Sequence, residues 1–297
     1  MLKVLVTGAR GQLGRELLRS AAAGKTELGS IPGIYDGCAV TEADIDELNI
    51  TDIDAVSAFV SKHGPDIIFN CAAMTDVDAC ESDWQAAFTA NALGPRNLAV
   101  AARETNATLM HISTDYVFSG DGVKPYCEWD LTEPKTVYGK SKLLGEQYVR
   151  NTHHKHFIVR TSWLYGYDGR NFVKTIVKAA RERGFLKVVD DQRGCPTHAG
   201  DLAHHMLKLA ASREYGLYHC AGNGECSRYN FACEIVRLAG ITCKTEPCTT
   251  EEFPRPAPRP SYSPLDNLAL SCTVGDEMRP WRDALTGFFM NWKEREL

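Results

Sequence analysis

The sequence predicts an α/β protein, a doubly wound parallel sheet with a smaller, irregular C-terminal lobe. Two observations lead there. Short Val- and Ile-rich runs alternate with amphipathic stretches, and those runs are apolar throughout, as strands covered on both faces are. A glycine-spaced turn also follows the first run, where a strand passes into a helix.

In chain order the expected elements begin with Lys3–Thr7 and a helix from Gln12, then Cys38–Thr41 and the helix Ile53–Lys62. Asp66–Ala73 precedes a helix from Asp83 to Glu104, Thr108–Thr114 precedes one from Thr136, and Phe157–Ser162 precedes one from Asn171. After Phe185 the alternation loosens into the segment Asp190–Thr197, a helix from Ala199, the proline-rich stretch Phe253–Pro264 and a last helix near Trp281–Arg295. The expected division is a sheet domain over residues 1–184 and a lobe over 185–297, with one strand-helix return to the sheet inside the second part.

Composition narrows the function. The 297 residues are 44% hydrophobic and 24% charged, which excludes disordered, collagenous and coiled-coil classes. Lys and Arg number 33 against 38 Asp and Glu, a net charge of -5 with no dense basic run, so neither nucleic acid nor an anionic membrane is an expected partner. No run approaches the ~20 apolar residues that span a bilayer. The opening Met1–Thr7 turns glycine-rich too soon to form a signal peptide, so a cytoplasmic location is expected. Eleven cysteines are scattered without a Cys-x-x-Cys pair, and the spacing of Cys220, Cys226 and Cys233 fits no zinc or iron-sulfur pattern. They read as reduced thiols, and no metal is expected. His153, His154 and His156 read as a solvated connection, while His204 and His205 point about 100° apart on a helix and do not ligate together.

Three motifs carry chemistry. In Gly8-Ala-Arg10-Gly11-Gln12-Leu13-Gly14 the glycines allow a tight turn and bring backbone close to a pyrophosphate at a positive helix N-terminus. A plain strand-to-helix turn is the alternative. Asp44, after the second strand, suits an adenosine ribose, whereas Arg10 suits a 2′-phosphate, so NADH and NADPH both stay open.

Tyr138 and Lys142 lie four residues apart at the start of a helix and share a face, with Cβ atoms roughly 5–6 Å apart. A free phenol titrates near 10. A cation about 4 Å away at an effective dielectric near 20 is worth at most ~4 kcal/mol, enough to bring the phenol near neutrality as an acid-base group. A surface Tyr/Lys pair is the plain alternative. The third motif, Met110 to Phe118, is a buried strand whose carboxyl end breaks into Ser113, Thr114 and Asp115, where ligands sit in open α/β sheets. In Phe253–Pro264 the prolines preclude a helix. The segment is either a linker or an extended strip from which Arg259 forks onto a diphosphate.

These motifs, together with Asn70-Cys-Ala-Ala-Met-Thr75, Arg160-Thr-Ser-Trp163-Leu-Tyr165, Asp191-Gln-Arg-Gly-Cys-Pro-Thr197 and Arg259-Pro-Ser-Tyr-Ser263, resemble the dTDP-4-dehydrorhamnose reductase family. That family belongs to the extended short-chain dehydrogenases/reductases with a Rossmann fold, and the likeness runs nearly end to end. The version Ser113-Thr-Asp-Tyr-Val-Phe118 is its most telling part, since related epimerases and dehydratases usually carry Ser-Ser-x-x-Val-Tyr-Gly there.

The resemblance implies that Thr114, Tyr138 and Lys142 form the catalytic set, and that Asp115 and Trp163 meet the sugar. It places the cofactor along Gly8, Gly11 to Gly14, Asn49, Ile50, Ala72, Ala73, Met74, Tyr138 and Lys142. Asn49 departs from the Asp often found before Ile50. The acidic residues of a magnesium-bridged dimer are represented at most by Glu16, so no metal is assigned and a homodimer is left open. The implied reaction is NAD(P)H-dependent reduction of C4 in dTDP-4-dehydro-β-L-rhamnose to dTDP-β-L-rhamnose. Two other readings stay open: another nucleotide-sugar reductase or epimerase of this fold, and a non-catalytic NADP-binding regulatory subunit.

Overall fold

In the computed structural model, which describes residues 1–295, six parallel strands form the central sheet. They are β1 (Lys3–Thr7), β2 (Ala39–Ala43), β3 (Ile67–Asn70), β4 (Thr108–Thr114), β5 (His156–Thr161) and β6 (Gly216–His219), in the spatial order β6-β5-β4-β3-β1-β2. The side chains of β1 show why the strands read as apolar throughout. Val4 and Val6 pack with Leu13, Leu17, Leu202 and Met206 on one face, while Leu5 packs with Val56, Val60, Leu98 and Ala102 on the other. Each face is covered by helices, so neither parity of the strand meets water.

The helices start where local chemistry dictates. Helix α1 (Gln12–Ala23) follows the glycine turn, and α2 (Ile53–His63) is capped by Asp52, whose side chain accepts from the N–H groups of Asp54 and Ala55 and ends at left-handed Gly64. The helix expected over Asp83–Glu104 is present as one continuous run, α4 (Trp84–Phe88), a π-helical segment Thr89–Leu93 and α5 (Gly94–Thr105), with a separate short helix α3 (Val77–Ser82) ahead of it. Asp83 separates α3 from this run by capping α4 through Ala86 N–H. In the π segment, Asn91 turns its side chain out of the helix to bind the loop after β3, and its carbonyl sits where any side chain at Gly145 would overlap it.

Helix α6 (Val137–Thr152) carries Tyr138 and Lys142 and is capped by Thr136. A buried ion pair fastens it to the sheet. Both Glu146 oxygens accept from Arg160 of β5, at 2.9 and 2.7 Å, and Ser113 of β4 donates to the same carboxylate at 2.5 Å. The two charged side chains are only 4% and 6% exposed, so each depends on the other for its solvation.

The second core cluster gathers Tyr165, Val173, Ile176, Phe231, Trp281, Leu285 and Phe288. Its helices are α7 (Phe172–Arg183), α9 (Arg228–Ala239) and α11 (Trp281–Arg295), so part of the lobe's core precedes residue 185 in the chain. Between them α8 (Ala199–Ser212) packs on α1, and β6 joins the sheet edge. The strand expected over Asp190–Thr197 lies just upstream, as β7 (Phe185–Val189), paired in parallel with β8 (Lys244–Cys248). Only Arg193–Gly194 and Thr197–His198 of the expected segment are extended in short bridges.

The histidine connection is also drier than expected. His153 is buried with Nε2 2.7 Å from the Ala107 carbonyl, and His156 Nδ1 lies 2.5 Å from the His153 carbonyl. The proline-rich stretch is no loose linker: Ala257 N–H donates to Asp78, Tyr262 N–H to the Gly120 carbonyl, and the Ser263 hydroxyl to Asp115 at 2.6 Å.

Because truncating one member strands a buried charge, Glu146→Ala is expected to lower unfolding stability by about 3–5 kcal/mol. Urea denaturation followed by circular dichroism measures this. A loss below about 1 kcal/mol would mean that the pair does not anchor the helix.

Candidate active site

The carboxyl ends of β1, β3, β4 and β5 open into one cavity of about 900 Å³, at the point where strand order reverses between β1 and β3. Of the residues expected at the site from the sequence, all but Arg259 border it.

The glycine loop forms one wall. Gly8 takes a left-handed φ of 64°, and a Cβ on it would lie 2.7 Å from Ala72 N, so the β1 and β3 loops touch backbone to backbone. A Cβ at Gly14 would overlap the Gly8 carbonyl and lie 2.8 Å from Ala9 Cα. The first turn of α1 has no side-chain cap: Gly11 occupies the N-cap position and offers nothing to the free N–H groups. Buried Gln12 Oε1 has no partner among the described residues. An uncapped helix start beside glycine backbone fits a dinucleotide pyrophosphate.

Beyond the loop, Asp44 accepts from the N–H groups of Arg10 and Ile45. The Arg10 guanidinium is held by Asp46, at 2.5 Å, and by Glu47. Asn49 accepts from the N–H and hydroxyl of Thr51, and Ile50 packs on Gly94. Opposite, Ala72 to Met74 are held by Asn91, whose amide oxygen accepts from Met74 N–H at 2.8 Å and whose nitrogen donates to the Met74 carbonyl at 3.0 Å.

The titratable centre lies between β4 and α6. Tyr138 and Lys142 do share a helix face, but the lysine does not lower the phenol. Its Nζ turns inward to donate to the Ile112 carbonyl, with His111 Nε2 at 3.5 Å. Burial therefore governs Tyr138 and pushes its pKa above 10, aided by Asp115, Tyr116 and Cys80, while the adjacent Thr114 hydroxyl pulls it back. The phenol holds its proton at neutral pH. The Tyr116 ring packs edge-on at 5.5 Å.

Burial brings Lys142 down to about 8, opposed by Glu146 and Cys71. The His111 tautomer follows from its neighbours. Thr7 hydroxyl and Ala72 N–H both donate to Asn70 Oδ1, at 2.8 and 3.2 Å, so the Asn70 nitrogen donates to His111 Nδ1 at 3.0 Å. The imidazole proton then sits on Nε2 and faces Lys142, which favours the uncharged amine over the ammonium. His111 itself is pushed well below 6.5 by burial and the Lys142 charge.

Asp115 accepts from Thr114 at 3.0 Å and from Ser263 at 2.6 Å, and burial raises its carboxyl while those bonds and Arg228 pull it down. Trp163 has a left-handed φ of 45°, costly for a bulky residue. Arg259 stands back from the cavity, bonded to Asp78 at 2.8 Å and to the Ala257 carbonyl. Sequence reasoning passed over Asn91, His111, Glu146 and Arg228. The alternation of His111 and Ser113 inside an otherwise apolar buried strand was a signal for the inner network; Asn91 and Arg228 carried none.

A family model described as the RmlD substrate binding domain matches residues 2–293. The chain belongs to this family. A spore coat polysaccharide biosynthesis protein, SpsK, of Bacillus subtilis is 43% identical over 285 residues, covering 96% of each chain. A dTDP-4-dehydrorhamnose reductase from Clostridium acetobutylicum superposes with a TM-score of 0.93 at 45% identity, over 98% of this chain and 100% of that one. The Bacillus anthracis dTDP-4-dehydrorhamnose reductase solved in complex with NADP gives 0.91 at 41%, with the same coverage.

Since the loop has no room for a methyl at position 14, Gly14→Ala is expected to weaken NADPH binding at least tenfold, about 1.4 kcal/mol. Fluorescence titration tests it, with circular dichroism confirming a retained fold. Wild-type affinity would show that the pyrophosphate does not lie on this loop.

Proposed function

We propose that the chain reduces the C4 keto group of dTDP-4-dehydro-β-L-rhamnose to dTDP-β-L-rhamnose with NADPH or NADH, as the reductase relatives' names indicate for those proteins. One observation carries the reading. A phenol held protonated by burial, Tyr138, sits beside the Thr114 hydroxyl at the carboxyl edge of the sheet, in the same cavity as an uncapped glycine-loop helix.

When bound, the reduced nicotinamide supplies the hydride. The residues around it divide the remaining work. Gly8, Gly11 and Gly14 admit the pyrophosphate, Gln12 and Leu13 begin the helix that receives it, and Asn49, Ile50 and Ala72 to Met74 line its path. Tyr138 gives its proton to the developing C4 alkoxide, and a phenol above its ordinary pKa is in the right state to do so. The Thr114 hydroxyl, which donates to Asp115 in the unliganded chain, turns its hydrogen toward the same oxygen, a dipole placed where charge develops. Lys142 restores the phenol's proton and binds the nicotinamide ribose. Asp115 and the part of Trp163 that Arg228 leaves uncovered face the sugar, while Arg259, paired with Asp78, stays behind the cavity. Asp46 and Glu47 hold Arg10, so a 2′-phosphate gains less there than from a free arginine, in keeping with use of both cofactors.

Tyr138→Phe is expected to lower turnover at least a hundredfold while NADPH affinity stays within twofold, because the hydroxyl acts mainly in proton transfer. Steady-state reductase assays beside cofactor titration separate the two; activity within a few-fold of wild type would remove Tyr138 as the acid.

The Lys142 ammonium loses its proton as pH rises through about 8. The kcat/KM for NADPH, which follows the unliganded enzyme, is therefore expected to fall above that pH. A profile still flat at pH about 9.5 would contradict a depressed, functionally charged lysine.

A further inference from the structure

The cavity also holds a cation that has ring partners but, among the described residues, no carboxylate or hydrogen-bond partner. Arg228 is the first residue of α9, which Ser227 caps by accepting from Asn230 N–H at 3.0 Å. Its guanidinium lies 3.5 Å from the centre of the Trp163 ring and 5.0 Å from that of Phe172, and it borders the cavity. Among the described residues its side chain makes no hydrogen bond and no ion pair.

The other cations at or near the cavity differ from it: Arg10 is bound by Asp46 and Glu47, Arg259 by Asp78, Lys142 donates to a carbonyl, and Arg170 on the rim is exposed to water. Asp115 is near enough to attract Arg228, but its two oxygens already accept from Thr114 and Ser263. Arg259 is near enough to repel it. Burial takes the Arg228 guanidinium down to about 10, so it is still charged at neutral pH. A cation drawn from water and left unpaired is costly, and an anion arriving in the cavity removes that cost.

In a sugar nucleotide the base and the sugar are neutral at pH 7, and the diphosphate is the anionic part. Resting on the reading of this chain as a dTDP-sugar reductase, we infer that Arg228 receives the substrate diphosphate and that Trp163 is the platform on which it is stacked. The indole face covered by Arg228 is then not a seat for the sugar. A planar guanidinium suits both tasks, since it stacks through its face and donates through its edge to two phosphate oxygens at once. Stacking also holds the side chain in place before the ligand arrives, which reduces the entropy lost on binding. The cofactor's pyrophosphate has its own site on the glycine loop, so the two diphosphates of the ternary complex are read by different chemistry: helix N–H groups for one, a stacked arginine for the other.

Calorimetric titration of the full chain tests the assignment. Arg228→Gln is expected to bind dTDP at least tenfold more weakly, with NADPH within twofold of wild type and thymidine, which lacks the diphosphate, bound alike by both proteins. A variant that binds dTDP within twofold of wild type overturns the assignment, and so does an equal loss for thymidine, which would mark general damage to the pocket. If the wild-type chain binds no dTDP at all, the sugar-nucleotide reading fails and the role of Arg228 fails with it.

Discussion

The buried pair between Glu146 and Arg160 is the contact on which the geometry of the site depends. It joins the helix carrying Tyr138 and Lys142 to two adjacent strands, and Ser113, one residue before Thr114, is its third member. Tyr138 and its hydrogen-bonding neighbour Thr114 are thus fixed to the same rigid core by one set of charge-assisted bonds. Such a pair adds little net stability over apolar packing, but it tolerates no half-measure, because either charge alone would be stranded in the interior. It gives the helix one register against the sheet.

Around that anchor the cavity is organised by burial more than by direct ion pairing. The same loss of water that raises Tyr138 lowers Lys142, so the phenol stays protonated and the lysine exchanges its proton near neutrality. The Thr7, Asn70 and His111 chain sets which imidazole nitrogen faces Lys142, and so adjusts the lysine from behind. Asn91 does comparable work for the cavity wall after β3, where its side chain leaves the helix at a π turn to clamp Met74. π turns recur at functional sites because they free a side chain without ending the helix.

Much of this was legible in the sequence because it is local. Apolar runs with no exposed parity announce a sheet covered on both faces. Three glycines between a strand and a helix announce close backbone approach, and the clashes at Gly8 and Gly14 show why no other residue serves. A four-residue spacing places Tyr138 and Lys142 on one face whatever surrounds them. The caps at Thr136, Asn171 and Asp52 start helices through bonds spanning three residues or fewer.

What only the tertiary structure decided involves partners far apart in the chain and the water they exclude. Helical spacing put Lys142 near Tyr138, yet the Ile112 carbonyl drew its amine away, and burial reversed the expected direction of the phenol's shift. Arg259 and Arg228 look alike in sequence, both arginines in an irregular region. Asp78, 181 residues from Arg259, answers one charge, whereas nothing among the described residues answers the other. Spacing along a chain determines which side chains share a face. Whether a charge is needed for the fold or left for a ligand is set by the dielectric and the partners around it, and those exist only once the chain has closed on itself.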